Sequence, residues 1–144
     1  MNAADAALNI RTATEDDFGF LAAHDPHITI VMLRAKVAAG EILLALVGDE
    51  AVGFLRWGWF WDNTPFMNLL FVVDSWRGQG VGARLTAHWE ARMAQNGAEF
   101  VLTSTLANET AQHFYRRQGY QDIGGFVLPG EPLELLLYKA LRPL

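Results

Sequence analysis

The sequence predicts an α+β domain spanning residues 1–144, with a mixed, mostly antiparallel sheet of six to seven strands flanked by about four helices. Three observations carry this reading. Strand-length segments, either alternating or continuously apolar, recur between turn residues. Apolar residues recur every four positions at Val81, Leu85, Trp89 and Met93, as on one face of a helix. No repeat, low-complexity tract or Pro/Gly/Ser-rich linker divides the series, so one domain is expected.

The elements follow in order. Leu8 to Ala13 alternates apolar and polar residues and reads as the first strand. Thr14 followed by Glu15-Asp16-Asp17 starts a helix that reaches about His24, with acids at the positive end of its dipole. Ile28 to Ala39 is a second helix stopped by Gly40, and Glu41 to Val47 with Ala51 to Trp61 form a hairpin around Gly48-Asp49-Glu50. Trp57, Trp59 and Trp61 alternate in its second arm, which places them on one face. Asn68 to Val73 is a short apolar run that fits a buried central strand. Gly80 to Asn96 is the third helix, with Gly97 as its C-cap. Phe100 to Thr105 is a strand, Asn108 to Gln118 a helix closed by Gly119, and Tyr120 to Val127 and Leu133 to Lys139 are strands around Pro129-Gly130.

Composition excludes several classes of function. Hydrophobic residues at 51% and charged residues at 19% argue against disorder, and no apolar run approaches the roughly 18 residues that cross a bilayer. Met1 to Asn9 lacks the basic cluster of a signal or transit peptide, so the expected location is cytoplasmic. A formal charge of −5 argues against nucleic acid or anionic membranes as partners and favours cationic substrates. With no cysteine, disulfides, thiolate metal sites and a cysteine nucleophile are excluded.

The segment Arg77-Gly78-Gln79-Gly80-Val81-Gly82 leads from a strand into a helix. Such a turn presents unpaired N–H groups and the positive end of the helix dipole, which suits a phosphate. The glycines let backbone approach the ligand, and Arg77 adds a cationic fork. Gly78, Gly80 and Ala83 also satisfy G-x-G-x-x-A, but the motif follows a hairpin and the next strand ends without the ribose-binding acid of a dinucleotide site. A Walker loop is excluded because no G-K-[ST] follows.

Leu70-Phe71-Val72-Val73-Asp74-Ser75-Trp76 followed by that turn resembles the fourth strand and the R-x-x-G-x-G pyrophosphate loop of the GNAT superfamily of N-acetyltransferases. Asn108-x-x-Ala111-x-x-Phe114-Tyr115-x-x-x-Gly119-Tyr120 resembles the same family's N-x-x-A-x-x-F-Y-x-x-x-G-F/Y helix. The resemblance implies transfer of an acetyl group from acetyl-CoA to a primary amine of a small molecule or peptide, by direct attack in a ternary complex without metal. It implies that Phe71, Val72, Val73, Arg77, Gly78, Gln79, Gly80, Val81, Gly82 and Asn108 bind the cofactor. Backbone N–H groups near Val72 to Val73 would polarise the acetyl carbonyl, Asn108 would bond the pantetheine arm, and Tyr115 would protonate the departing thiolate. On a helix Asn108, Ala111 and Tyr115 would share one face. A phenol near pKa ~10 stays protonated at neutral pH and can donate to a thiolate whose thiol titrates near ~8.5.

An attacking amine must first lose a proton, which for a lysine-like group costs about 4.6 kcal/mol at pH 7. Family members often use a glutamate near the third or fourth strand, but Phe66-Met67-Asn68-Leu69-Leu70 contains no carboxylate. Asp62 is the candidate base, set against a plain turn role for Asp62-Asn63-Thr64-Pro65. Asp74 lies in the cofactor turn. His24 and His27, flanking Asp25-Pro26, read as polar loop residues with a substrate loop as the alternative, and His88 as a surface residue. Trp59 and Trp61 are candidate substrate-binding residues, an aromatic wall for a cationic amine, against a core-packing role for the tryptophans. The missing carboxylate leaves a second reading, a CoA-binding sensor or interaction module without turnover. A homodimer is expected if Leu133 to Tyr138 lies at a sheet edge.

Overall fold

The computed structural model describes residues 7–142, so the expectation for Met1 to Asn9 falls outside it for residues 1–6. The strands are β1 (Leu8–Thr12), β2 (Ile42–Val47), β3 (Glu50–Phe60), β4 (Thr64–Val72), β5 (Phe100–Leu106), β6 (Gln121–Val127) and β7 (Leu133–Ala140). The helices are α1 (Phe18–His24), α2 (Ile30–Ala39), α3 (Val81–Gln95) and α4 (Ala111–Arg117), with 3₁₀ turns at Glu15–Asp17 and Asp74–Trp76. The strands form one sheet in the order β1-β2-β3-β4-β5-β7-β6. β4 and β5 pair in parallel, whereas β1 with β2, β2 with β3, β5 with β7 and β6 with β7 are antiparallel, as the α+β expectation requires.

The chain forms two compact units, one holding the segment up to Trp57 with Leu69–Trp89, the other Gly58–Asn68 with the segment from Glu90 onward. In the first unit, Leu21 of α1 and Leu33 and Val37 of α2 pack on Ile42, Leu44 and Phe54 in a core that Leu69 and Phe71 join. β2 is covered on both faces, which is why its sequence is a continuous apolar run. Gly53 has a steric duty there, because a Cβ would stand 2.7 Å from the carbonyl oxygen of Phe71. The Arg56 guanidinium holds the buried Asp25 through two bonds, of 2.8 Å and 3.3 Å, tying the loop after α1 to β3. In the second unit, Glu90 accepts from the Tyr120 hydroxyl at 2.8 Å and from Lys139 Nζ at 2.7 Å, so its buried carboxylate is satisfied on both oxygens.

Several expectations need correction. β4 begins at Thr64, four residues before the predicted Asn68, because β3 and β4 are joined by a tight turn. Trp61 and Asp62 both adopt positive φ (56° and 61°) and Asn63 donates to the Phe60 carbonyl, the geometry of a primed hairpin turn. Trp61 therefore lies beyond the strand, and the three tryptophans form no continuous wall: Trp57 is 2% exposed, Trp59 48% and Trp61 80%. The run Asn68 to Val73 is not fully buried, since Asn68 is exposed and the rest half-buried, and the β5 register covers only Phe66 and Met67. Helix α2 starts at Ile30 because Thr29 caps it, accepting from the Met32 amide. β7 lies between β5 and β6, not at an edge, so the premise of a dimer through Leu133 to Tyr138 fails.

Candidate active site

The glycine-rich turn occupies Arg77 to Gly80, between the 3₁₀ turn and α3. Gly78 and Gly80 have φ of 75° and 87°, a region that costs an L-residue about 1–2 kcal/mol. An added Cβ at either would meet nothing within 4 Å, so backbone conformation, and not crowding, demands glycine there. The first bond of α3 runs from the Arg84 amide to the Gly80 carbonyl at 3.0 Å, which leaves the amides of Val81, Gly82 and Ala83 outside the helical ladder. The turn thus offers a row of N–H groups at a helix N-terminus, with open space above it.

Side chains brace this turn. Arg77 folds back, its Nε donating to the Val72 carbonyl at 3.1 Å and its Nη1 pairing with Asp74 at 3.0 Å. Gln79 donates to the Ser75 carbonyl at 3.2 Å. At the end of β4 the Val73 amide donates to the Val52 carbonyl at 2.9 Å, so it is already engaged. Strand alternation turns the Val72 amide to the opposite side of β4 from that bond. Phe71 is half-buried, stacked at 5.0 Å on the ring of His24 and tilted by 34° against Phe54 at 5.5 Å.

In the second unit, α4 carries Tyr115, which is 7% exposed. Its hydroxyl points at the sulfur of Met67, 3.9 Å away, and its ring meets Phe114 and Tyr120 edge-on. Thr103 stands beside it and donates to the Met67 carbonyl at 3.0 Å. Burial pushes the Tyr115 phenol up to about 12, with Thr103 opposing the shift. Tyr120 is raised further by burial and by the Glu90 carboxylate to which its hydroxyl donates a hydrogen bond.

Asn108 is not on the helix with Tyr115. It is exposed in the turn that precedes α4, because β5 runs on to Leu106 and the Glu109 amide bonds back to the Leu106 carbonyl at 3.0 Å. Gln112 bridges that turn by donating to the carbonyls of Ala107 and Glu109. Asp62 is exposed in the β3–β4 turn. Trp59 lines a groove of about 150 Å³ with Pro65, Met93, Asn96 and Gly97, at the C-terminal end of α3 and so at the opposite end of that helix from the glycine turn. Among the described residues, no three His, Asp or Glu side chains gather as metal ligands would.

Three contacts were not anticipated from sequence: Asp25 with Arg56, Glu90 with Tyr120 and Lys139, and Met67 with Tyr115. Only the second had a signal, since Thr86 and Glu90 widen the apolar stripe of α3 by one helical step and are buried with it.

A model of the acetyltransferase (GNAT) domain matches residues 38–122. An uncharacterized N-acetyltransferase, YhfO of Bacillus subtilis (strain 168), is 31% identical over 103 residues, covering 66% of this chain and 69% of its own. The fold is similar to Ard1 from Thermoplasma volcanium, with TM-score 0.82, 14% identity and coverage of 95% of this chain and 99% of that one. It is also similar to an aminoglycoside 6′-N-acetyltransferase complexed with coenzyme A, with TM-score 0.78, 16% identity and coverage of 94% and 98%. The chain belongs to the GNAT family of acetyltransferases.

Proposed function

We propose that residues 1–144 act as one N-acetyltransferase domain, passing the acetyl group of acetyl-CoA directly to a primary amine of a small molecule or peptide. The observation that carries this reading is the turn at Arg77 to Gly82: two glycines held at positive φ, open space above them, and helix amides outside the ladder fit a pyrophosphate. Gly78, Gln79, Gly80, Val81 and Gly82 supply that cradle, and Arg77 closes its rim while bracing the strand end. Phe71, Val72 and Val73 line the acyl arm, with the Val72 amide donating to the thioester oxygen, and Asn108 serves the pantetheine amides.

Tyr115 is the general acid. With its phenol at about 12 it is fully protonated at neutral pH. Complete transfer to a thiolate of pKa ~8.5 would run uphill by roughly 4–5 kcal/mol, so the phenol first stabilises developing sulfur charge by a hydrogen bond. Desolvation of the thiolate raises its own proton affinity and narrows that gap. Trp59 and Trp61 contribute at most an outer aromatic surface for the amine. The exposed turn position of Asp62 supports a turn role at least as well as that of a base. The chemistry needs no metal, and EDTA should leave the rate unchanged.

Direct transfer predicts intersecting initial-velocity lines when acetyl-CoA and amine are varied together, and no acetylated protein by mass spectrometry with acetyl-CoA alone. Parallel lines or a covalent acetyl adduct would exclude the mechanism. The absence of a carboxylate along β4 favours one other reading, a CoA-binding sensor, which would bind acetyl-CoA without releasing thiol.

A further inference from the structure

We infer that His24 is the catalytic base that takes the proton from the acceptor amine. This rests on the acetyl-transfer reading above and fills the position that β4, without a single ionisable side chain, leaves open. His24 is the last residue of α1 and is half-buried. Its imidazole is clamped between two rings, Phe20 one turn earlier at 4.6 Å and Phe71 of β4 at 5.0 Å with only 26° between the planes. Phe71 immediately precedes Val72, whose amide is assigned to the thioester oxygen, so the clamp sets an imidazole beside the reacting carbonyl. Among the described residues neither ring nitrogen of His24 has a hydrogen-bond or ionic partner, so one remains available to a substrate.

Charged groups on the surrounding elements are engaged elsewhere or exposed. On β3, Arg56 holds Asp25, and Glu50 is exposed. On α2, Arg34 pairs with Glu15 and Lys36 with Glu41. In the 3₁₀ turn before α1, Asp17 is held by Arg11 and Asp16 is exposed. In the following loop His27 is exposed. Among the described residues no neighbouring carboxylate is left to do the work, and no fixed cation is aimed at the ring.

The acceptor ammonium gives one proton to the His24 imidazole, which passes it to solvent. The free amine nitrogen attacks the acetyl carbon, forming the N–C bond. As the C–S bond breaks, the nitrogen's surplus proton goes to solvent and the thiolate takes the Tyr115 proton, which solvent restores. The products are the amide, CoA thiol and one released proton.

The test uses the full chain and the fastest acceptor among spermidine, kanamycin and an alanine-initial peptide. His24→Phe keeps a ring between Phe20 and Phe71 but has no nitrogen, and His24→Gln keeps polarity without the ring. Both should lower kcat/KM for the amine at neutral pH by about 100-fold. In both, the rate should follow the neutral fraction of the amine, climbing with pH and recovering toward wild type as pH approaches the amine's own pKa. Acetyl-CoA affinity by calorimetry should stay within two-fold, and added imidazole should partly rescue the rate. Wild-type-like rate and profile in His24→Phe would overturn the assignment, as would loss in His24→Gln alone, which would mark a packing role. If the wild-type protein transfers to none of the acceptors, the acetyl-transfer reading fails and this assignment falls with it.

Discussion

The hydroxyl of Tyr115 lies 3.9 Å from the sulfur of Met67, in a pocket of side chains that leaves the residue 7% exposed. Because the ring is packed by Phe114 and Tyr120, removing only the oxygen should leave its position unchanged. Tyr115→Phe should therefore lower kcat by about 100-fold while acetyl-CoA affinity stays within two-fold. Stopped-flow turnover paired with calorimetry checks this. A variant with wild-type kcat would remove Tyr115 as the acid.

Burial of that phenol also makes stability depend on alkaline pH. Its folded pKa of about 12 exceeds the ordinary 10, so the unfolded chain loses the proton first as pH rises. The contribution is fully present below pH 10 and is lost as pH climbs toward about 12, amounting to about 3 kcal/mol at most. Tyr120 acts in the same direction. Urea midpoints measured between pH 9 and 11 should fall for the wild type and fall less steeply for Tyr115→Phe.

Arg56→Ala should destabilise the protein by about 3–5 kcal/mol, because Asp25, buried with a side chain 0% exposed, would lose its ionic partner. The double variant Asp25→Leu with Arg56→Met should recover most of that loss. Denaturation of the two variants decides it, and equal losses in the single and the double variant would contradict this role for the ion pair.

Gly80→Ala should weaken acetyl-CoA binding by about 10-fold and cost about 1–2 kcal/mol of stability, since its φ of 87° strains any L-residue. Gly53→Ala should cost stability through a different cause, the 2.7 Å approach of its Cβ to the Phe71 carbonyl. Calorimetry and thermal melts on both variants separate ligand loss from crowding.

The sheet and the glycine-rich turn were legible in the sequence because apolar periodicity and clustered glycines are local signals. The start of β4 was not, because a primed turn normally advertises itself with Asn-Gly, and here Trp61 and Asp62 take those positive angles while Pro65 suggests a loop. Asn108 was drawn into α4 because asparagine is a strong cap residue, whereas the residue at the N-cap is Thr110 and β5 extends to within two residues of Asn108. His24 looked like an ordinary loop residue, since nothing local says that β4 will bring Phe71 against it. Long-range pairings such as Asp25 with Arg56 join positions 31 residues apart and leave no periodic trace.

The most direct test of acetyl transfer is the simultaneous measurement of free thiol and acetylated amine when the protein, acetyl-CoA and the three acceptors are combined. Direct acetyl transfer predicts thiol release matched one for one by product carrying a single added acetyl group, and dependent on Tyr115. Tight binding of acetyl-CoA with thiol release no faster than spontaneous hydrolysis for every acceptor would contradict it and leave a sensor in its place.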